Sequence, residues 1–367
     1  MKIAFLGTRG IPNSYGGFEQ FAEYISHGLA DIGHEVTVYN PGFYKPEMKK
    51  IGKVNIVHIY CPEHSVGALA HYIYDFLCLK HAVKQDFDII YEAGYATASI
   101  SYRLKRKGKK PYIITIMDGI EWKREKWNSF TKLFIKYCEG LAIVRSDYIV
   151  SDNEGIKSYL DNKYDVDSRF VPNGADLAHN FDYTVLRDLN IEASKFMLII
   201  ARIEPENNID LMMSAYEKAQ SAYPLIIVGN HTGKYARTLE AKFRHLENIK
   251  FVGGVYDKAK LDALRKAALC YIHGHKVGGT NPSLLEAMAA DAYILAYENL
   301  FNGSVLLKNA SFFKNEEELS MLLRTIVQDR SINESIFLSN NRKVISDKYS
   351  WGKIIQQYDN FFNEIVR

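Results

Sequence analysis

Twice along these 367 residues, short apolar runs alternate with segments of helical periodicity, and that alternation leaves very few folds open. Lys2–Leu6 is an apolar run ending at Gly7. A glycine-rich stretch follows, then Phe18, Phe21, Ile25 and Leu29 at helical spacing, with Gly33 where a helix C-terminus belongs. A second run, Glu35–Tyr39, completes a strand, loop, helix and strand, which is a βαβ unit. Further runs stand at Asn55–Ile59, Ile89–Tyr91, Tyr112–Ile116 and Tyr148–Val150. A polar stretch from Val171-Pro-Asn-Gly-Ala-Asp176 to about Leu189 reads as a linker. The pattern then restarts with Phe196–Ala201, Leu225–Val228, Ile249–Val252, Leu269–Ile272 and Tyr293–Ala296, again with helical segments between. Parallel strands need such crossovers, so the chain predicts an α/β architecture of two doubly wound, Rossmann-like domains facing across a cleft. Ligands of such sheets bind beyond the carboxyl ends of the strands, and the motifs below fall there.

Composition narrows the function. A hydrophobic fraction of 47% and a charged fraction of 24% belong to a globular protein, and a net charge of +3 gives no nucleic-acid signature. Cys61, Cys78, Cys138 and Cys270 are scattered, which argues against a zinc site or disulfide framework and fits a reducing compartment. The apolar run at the N-terminus is too short for a signal peptide, and no stretch is long enough to span a bilayer. A cytoplasmic protein is expected. Arg103–Lys110 carries six basic residues in eight positions, with Lys123, Arg124 and Lys126 near it in sequence. With Phe130, Leu133, Phe134 and Tyr137 this suggests peripheral contact with an anionic membrane, a solvated charged face being the plain alternative.

The segment Gly274-His-Lys-Val-Gly-Gly-Thr-Asn-Pro-Ser-Leu-Leu-Glu286-Ala-Met-Ala289 carries the most chemistry. Asn281 suits an N-cap and Pro282 the first helical position. A helix start offers backbone N–H groups and the positive end of a dipole to an anion, and Gly278 and Gly279 let a phosphate come close. Thr280, Asn281 and Ser283 line that start, and Glu286, about one turn deeper, can accept hydrogen bonds from a ribose. An ordinary loop with a dipole-complementing acid is the plain alternative. A second phosphate approach is expected at Gly16 and Gly17, directly before the first helix, with Arg9 supplying charge nearby. Dinucleotide binding is disfavoured there, because the glycine spacing is wrong and the second strand ends at Asn40 rather than at an acid. Arg202, at the end of the first strand of the second half, can neutralise charge building on a leaving diphosphate, or can pair with Glu204 or Glu206 on the surface. Asp118, after the strand ending near Met117, can orient an acceptor hydroxyl or contact the donor sugar, and Trp122 offers a flat face for a sugar. His273 and His275 lack convergent carboxylates, which makes a weak metal case; hydrogen bonding to phosphate or sugar is the preferred reading, beside a plain structural role.

These segments, in this order, resemble a GT-B glycosyltransferase of the large retaining family four, over essentially the whole chain. The resemblance rests on Gly16-Gly17, the Val171–Asp176 hinge segment, Arg202, Gly253-Gly254 and Glu286-Ala-Met-Ala. Arg9-Gly-Ile-Pro with Tyr15-Gly-Gly-Phe-Glu19, Asp118-Gly-Ile-Glu-Trp-Lys-Arg, and Gly278-Gly-Thr-Asn-Pro-Ser are similar to the bacterial rhamnosyltransferase-type subgroup. That implies an acceptor domain at 1–180, a nucleotide-sugar donor domain at 181–345, and a C-terminal helix at 346–367 that returns to the first domain. It implies metal-independent transfer with retention from a dTDP- or UDP-sugar, rhamnose foremost, onto a saccharide or lipid-linked acceptor of a capsule or cell-surface polysaccharide. No cofactor is implied beyond the nucleotide-sugar substrate. Arg202 and Asp118 are then catalytic. Arg9, Gly16, Gly17, Asn207, Gly279, Thr280, Asn281, Ser283 and Glu286 hold the donor, and Tyr15, Glu19 and Trp122 meet the acceptor.

Three positions depart from that family. Its lysine five residues after the arginine is Asn207 here, its glutamate eight residues before Glu286 is Gly278, and its histidine after the strand near 117 is replaced by Met117 or Asp118. The nucleotide end of the site is therefore expected to be ordinary and the sugar end to differ. A sugar-nucleotide epimerase would share the architecture but want paired carboxylates, and a non-catalytic sugar-nucleotide or membrane-binding protein would fit the missing lysine and glutamate.

Overall fold

A computed structural model describes residues 1–13 and 16–367. The chain divides into two compact units, Met1–Lys123 with Trp127–Gly174 and Trp351–Arg367, and Arg124–Lys126 with Ala175–Ser350.

Among the described residues of the first unit, eight strands form one sheet: β1 (Lys2–Leu6), β2 (Glu35–Pro41), β3 (Lys50–Ile51), β4 (Val54–Ile59), β5 (Ile89–Glu92), β6 (Tyr112–Met117), β7 (Tyr148–Ser151) and β8 (Arg169–Phe170). Their order is β3-β4-β2-β1-β5-β6-β7-β8, parallel throughout except for the β3–β4 pair. The central strands are buried on both faces, which is why they read as continuous apolar runs rather than alternating ones. Helices α1 (Gly17–Asp31), α2 (Glu63–Val66), α3 (Ala70–Ala82), α4 (Ser129–Arg145) and α5 (Glu154–Tyr164) belong to this unit. Helix α1 turns Phe21, Ala22, Ile25 and Leu29 into the core, and Gly33 ends it in a left-handed conformation that glycine adopts without strain.

The second unit contains α6 (Thr184–Asp188), β9 (Met197–Ile200), α7 (Ile209–Ala219), β10 (Leu225–Val228), α8 (Lys234–Phe243), β11 (Ile249–Phe251), α9 (Lys258–Ala267), β12 (Cys270–His273), α10 (Pro282–Ala289), β13 (Ile294–Tyr297), α11 (Leu300–Leu306), β14 (Ser311–Phe313) and α12 (Glu316–Val344). Its sheet is parallel, in the order β11-β10-β9-β12-β13-β14. The stretch expected to be a linker is bonded into this unit from Ala175 onward. Ala175 N–H donates to Tyr349, Ala178 N–H to Ala289 and Asp182 N–H to Ala259, at 2.8, 3.0 and 3.0 Å. Polar composition hid these backbone bonds, which need no apolar side chains.

The last helix, α13 (Trp351–Val366), packs in the first unit against α1. Its ring of Trp351 stacks on Tyr24 with centroids 4.4 Å apart, and Tyr358 bonds Tyr91 hydroxyl to hydroxyl at 2.9 Å. Trp351, Ile354, Tyr358 and Phe362 are buried, each worth roughly 1.5–3 kcal/mol on removal from water. Two glycines make room: a Cβ on Gly174 would lie 2.5 Å from the Trp351 ring, and one on Gly28 would lie 2.2 Å from Ile355.

Candidate active site

The strand order of the second unit reverses direction between β9 and β12, and ligands of doubly wound sheets gather beyond the strand ends at such a reversal. The two segments of the second half singled out in the sequence leave the sheet at that point. Arg202 follows β9 and is 54% exposed, with Glu204 at 3.8 Å, a distance at which an exposed pair is worth little. Its guanidinium is thus present and weakly committed. The loop behind it is shaped by Asn207, whose Nδ2 donates to the Arg202 carbonyl at 2.8 Å. Burial pushes the Glu204 carboxyl up, but Arg202 and Lys126 outweigh it and hold the group below its ordinary range. Glu206 is buried without a hydrogen bond to its carboxylate, so burial raises it and Glu204 adds to the rise, with Arg124 and Lys126 at 3.6 and 3.9 Å.

Helix α10 starts as its sequence predicts, with Asn281 as N-cap and Pro282 in the first turn. The anion site is narrower than the expected one. Pro282 brings no N–H, that of Ser283 donates to Asn281 Oδ1 at 2.9 Å, and that of Leu284 to the Asn281 carbonyl at 3.0 Å. The N–H groups of Gly279 and Asn281 make no hydrogen bond among the described residues, so they and the helix dipole are what an anion meets. Thr280 is buried between them.

Below this start lies a residue the sequence did not single out. Arg265, on α9, is only 1% exposed and donates to Glu286 Oε2 at 2.5 Å, to Ser283 Oγ at 3.4 Å and to Asp262 Oδ1 at 2.9 Å. The Tyr271 hydroxyl bonds the same Ser283 Oγ at 2.9 Å. Burial works against the charge on Arg265, but Glu286 and its other neighbours outweigh it and raise the group, so the guanidinium stays charged. Glu286 is therefore an oriented acceptor that keeps 16% of its side chain exposed.

His273, the last residue of β12, and His275, just after it, are both held neutral by burial. Burial lowers His273 to about 4 and His275 to about 3. His275 Nδ1 lies 2.7 Å from Asn207 Oδ1. A Cβ on Gly278, where φ is +154°, would fall 2.4 Å from His275 Nε2.

In the first unit, the sheet order reverses between β1 and β5, and the loop after β1 leads to the start of α1. Gly16 is the N-cap, and among the described residues no side chain caps the helix, while the Glu19 carboxylate stands in its first turn. Other residues of the loop are more committed than expected. Glu19, assigned to an acceptor, is only 4% exposed and accepts the Arg9 backbone N–H at 2.8 Å, so it braces the loop. The Arg9 guanidinium lies 3.1 Å from His71 Nε2 and 3.6 Å from Glu63. Asn40 is buried and bonds both the N–H and the carbonyl of Ile11, occupying the amide that stands where a dinucleotide site has its acid. Tyr15, a further acceptor-side expectation, lies outside the described residues.

Asp118 sits half-buried just past the carboxyl end of β6, as expected. Trp122 differs from expectation. Its Nε1 donates to Glu139 at 3.1 Å, and the ammonium groups of Lys136, Lys163 and Lys123 stand 5.1, 5.3 and 5.7 Å from its ring. A ring already faced by three cations is a poor platform for a sugar. Glu139, buried beneath it, gathers Tyr159, Lys163 and Tyr164 at 2.7, 2.6 and 2.5 Å. The basic run is likewise partly spent, since Lys105 pairs with buried Asp147, Lys107 donates to the Val144 carbonyl and Lys110 pairs with Asp88. On α4, Phe130, Leu133, Phe134 and Tyr137 are exposed, Phe130 by 87%.

Comparison with known proteins agrees with this geometry. Residues 186–344 match the family Glycosyl transferases group 1, and residues 1–176 match the family described as Domain of unknown function (DUF1972). An uncharacterized glycosyltransferase of Methanocaldococcus jannaschii is 23% identical, over 96% of this chain and 95% of its own. Sucrose-phosphate synthase from Thermosynechococcus elongatus superposes with a TM-score of 0.82 at 14% identity, covering 99% of this chain and 98% of that one. Anabaena HepE in complex with UDP-glucose superposes with a TM-score of 0.75 at 15% identity, covering 99% of this chain and 100% of that one. The fold is therefore GT-B, and with the group 1 match these findings support a GT-B glycosyltransferase of group 1 type.

Proposed function

We propose that this GT-B glycosyltransferase moves a sugar with retention from a nucleotide-sugar donor, dTDP-rhamnose foremost, onto a saccharide or lipid-linked acceptor in cell-surface polysaccharide synthesis. One observation supports the donor side of the reading: the loop carrying Arg202 after β9 and the loop leading to α10 after β12 leave the sheet at the strand reversal of the second unit, where the Tyr271 hydroxyl bonds both the Ile200 carbonyl and Ser283 Oγ. The start of α10 takes the diphosphate through Gly279 and Asn281. Glu286, held on Arg265, accepts the ribose hydroxyls. Arg202 faces the charge that grows on the leaving diphosphate, a group preorganised for the transition state rather than the ground state. The bond from the anomeric carbon to the leaving phosphate oxygen breaks, and the acceptor oxygen joins that carbon from the same face. The acceptor proton passes to the departing diphosphate. In this scheme the chain's own charges do the work, without a metal or a protein nucleophile. Asp118, in the first unit, is the proposed acceptor-side carboxylate.

The test is a thermal-shift panel of dTDP-, UDP- and GDP-sugars, since a ligand that binds the native state raises its apparent stability. A dTDP-rhamnose preference is the expected outcome. UDP-sugars are the natural comparison, because HepE was solved with UDP-glucose. A GDP-sugar preference would overturn the donor assignment. The exposed α4 face with Phe130 and Leu133 is proposed to meet anionic lipid, and co-sedimentation with phosphatidylglycerol vesicles that survives Phe130→Asp and Leu133→Asp would remove that role.

A further inference from the structure

We propose that His275 is the group that reads the donor sugar, presenting a neutral imidazole acceptor to one sugar hydroxyl. This rests on the second-unit site being a nucleotide-sugar site, and it deepens that reading at the end where the sequence departs from its resemblance.

Two of the departures, Asn207 and Gly278, meet at this one residue. The Asn207 amide is oriented by its own partner: Nδ2 donates to the Arg202 carbonyl at 2.8 Å, which turns Oδ1 toward His275 Nδ1 at 2.7 Å. An amide oxygen can only accept, so Nδ1 carries the ring proton. Burial keeps the ring neutral, and Arg124, Arg202 and His273 around it act in the same direction. Nε2 therefore bears a lone pair. It makes no hydrogen bond among the described residues and is not among the atoms shut off from solvent. The backbone of His275 is pinned as well, since its carbonyl accepts from Asn299 Nδ2 at 2.8 Å and from Asn302 Nδ2 at 3.1 Å.

Gly278 completes the arrangement. Any side chain there would begin 2.4 Å from Nε2, so the ring occupies the space a side chain at 278 would take. The glycine and the asparagine are then one device with the histidine: one leaves the room, the other fixes the proton. A neutral acceptor suits this place, because it takes a hydroxyl hydrogen bond without adding negative charge beside a diphosphate.

The experiment is calorimetric titration of the full chain and its variants with UDP, dTDP, UDP-glucose and dTDP-rhamnose. His275→Ala should bind the two diphosphates as the wild type does and lose roughly tenfold for the preferred sugar nucleotide, the worth of one hydrogen bond. His275→Gln, whose amide oxygen reaches about where Nε2 stood, should recover most of that loss. Gly278→Ala should reproduce the loss by displacing the ring, and the double variant His275→Ala/Gly278→Ala should lose no more than either single one. Equal weakening of diphosphates and sugar nucleotides, or no weakening of either, would overturn the assignment of His275 while leaving the donor site standing. A wild-type chain that binds none of the four ligands would remove the donor site itself, and His275 with it.

Discussion

At the scale of single residues, the site depends on a side chain that no local pattern announces. Glu286 and Asn281 were legible because a capping residue, a proline and an acid one turn on are sequence neighbours. Arg265 was not, because its contact with Glu286 depends on how α9 and α10 lie against each other. The same reason explains Glu19 and Trp122, whose types suit a ligand but whose partners, Arg9 and Glu139, come from elsewhere in the chain. Arg265→Met should leave the Glu286 carboxylate without its counter-charge and destabilise the protein by about 3–5 kcal/mol, read from denaturant unfolding. A variant as stable as the wild type would mean that Glu286 is solvated rather than held. A second buried pair lies in the first unit. Burial pushes Asp75 up to about 7, and burial with the Asp75 charge holds Glu92, which has no hydrogen bond, well above the ordinary carboxylate range. The folded state thus keeps protons that the unfolded chain gives up. This contribution to stability is greatest below about pH 4 and is lost as pH rises through the folded values, including the Asp75 value near 7. Glu92→Gln should flatten the fall in Tm between about pH 5 and 8, and an unchanged slope would contradict the assignment.

At the scale of elements, what packs on both faces was visible and the shortest edge strands, β3, β8 and β14, were not. Strands β1, β5, β9, β10 and β12 are apolar runs because the parallel sheet buries them, and α1 shows its stripe because one face meets that sheet. Strands β3, β8 and β14 are two or three residues long and carry no period to detect. The resemblance implied a C-terminal helix that returns to the first domain, but not what makes room for it: the space for Trp351 is left by the missing side chain of Gly174. Gly174→Ala should force the ring from its stack on Tyr24 and cost about 1–3 kcal/mol, seen as a lower Tm. An unchanged Tm would show that the ring shifts without loss.

At the scale of the whole molecule, the repeated alternation of strands and helices made the α/β class legible, and the motifs fell at the reversals of both sheets. The grouping of Arg124–Lys126 with the second unit was not legible, since the partners of these residues, Glu206 for Arg124 and Lys276 for Glu125, are distant in the sequence. The second unit is proposed to stabilise a departing diphosphate through Arg202. The most direct measurement is the transfer rate of purified Arg202→Ala at saturating donor, with its Tm as a control of folding. A rate lower by about 10²–10³ at unchanged Tm is expected, the cost of removing one electrostatic stabiliser; turnover equal to that of the wild type would contradict this role for Arg202.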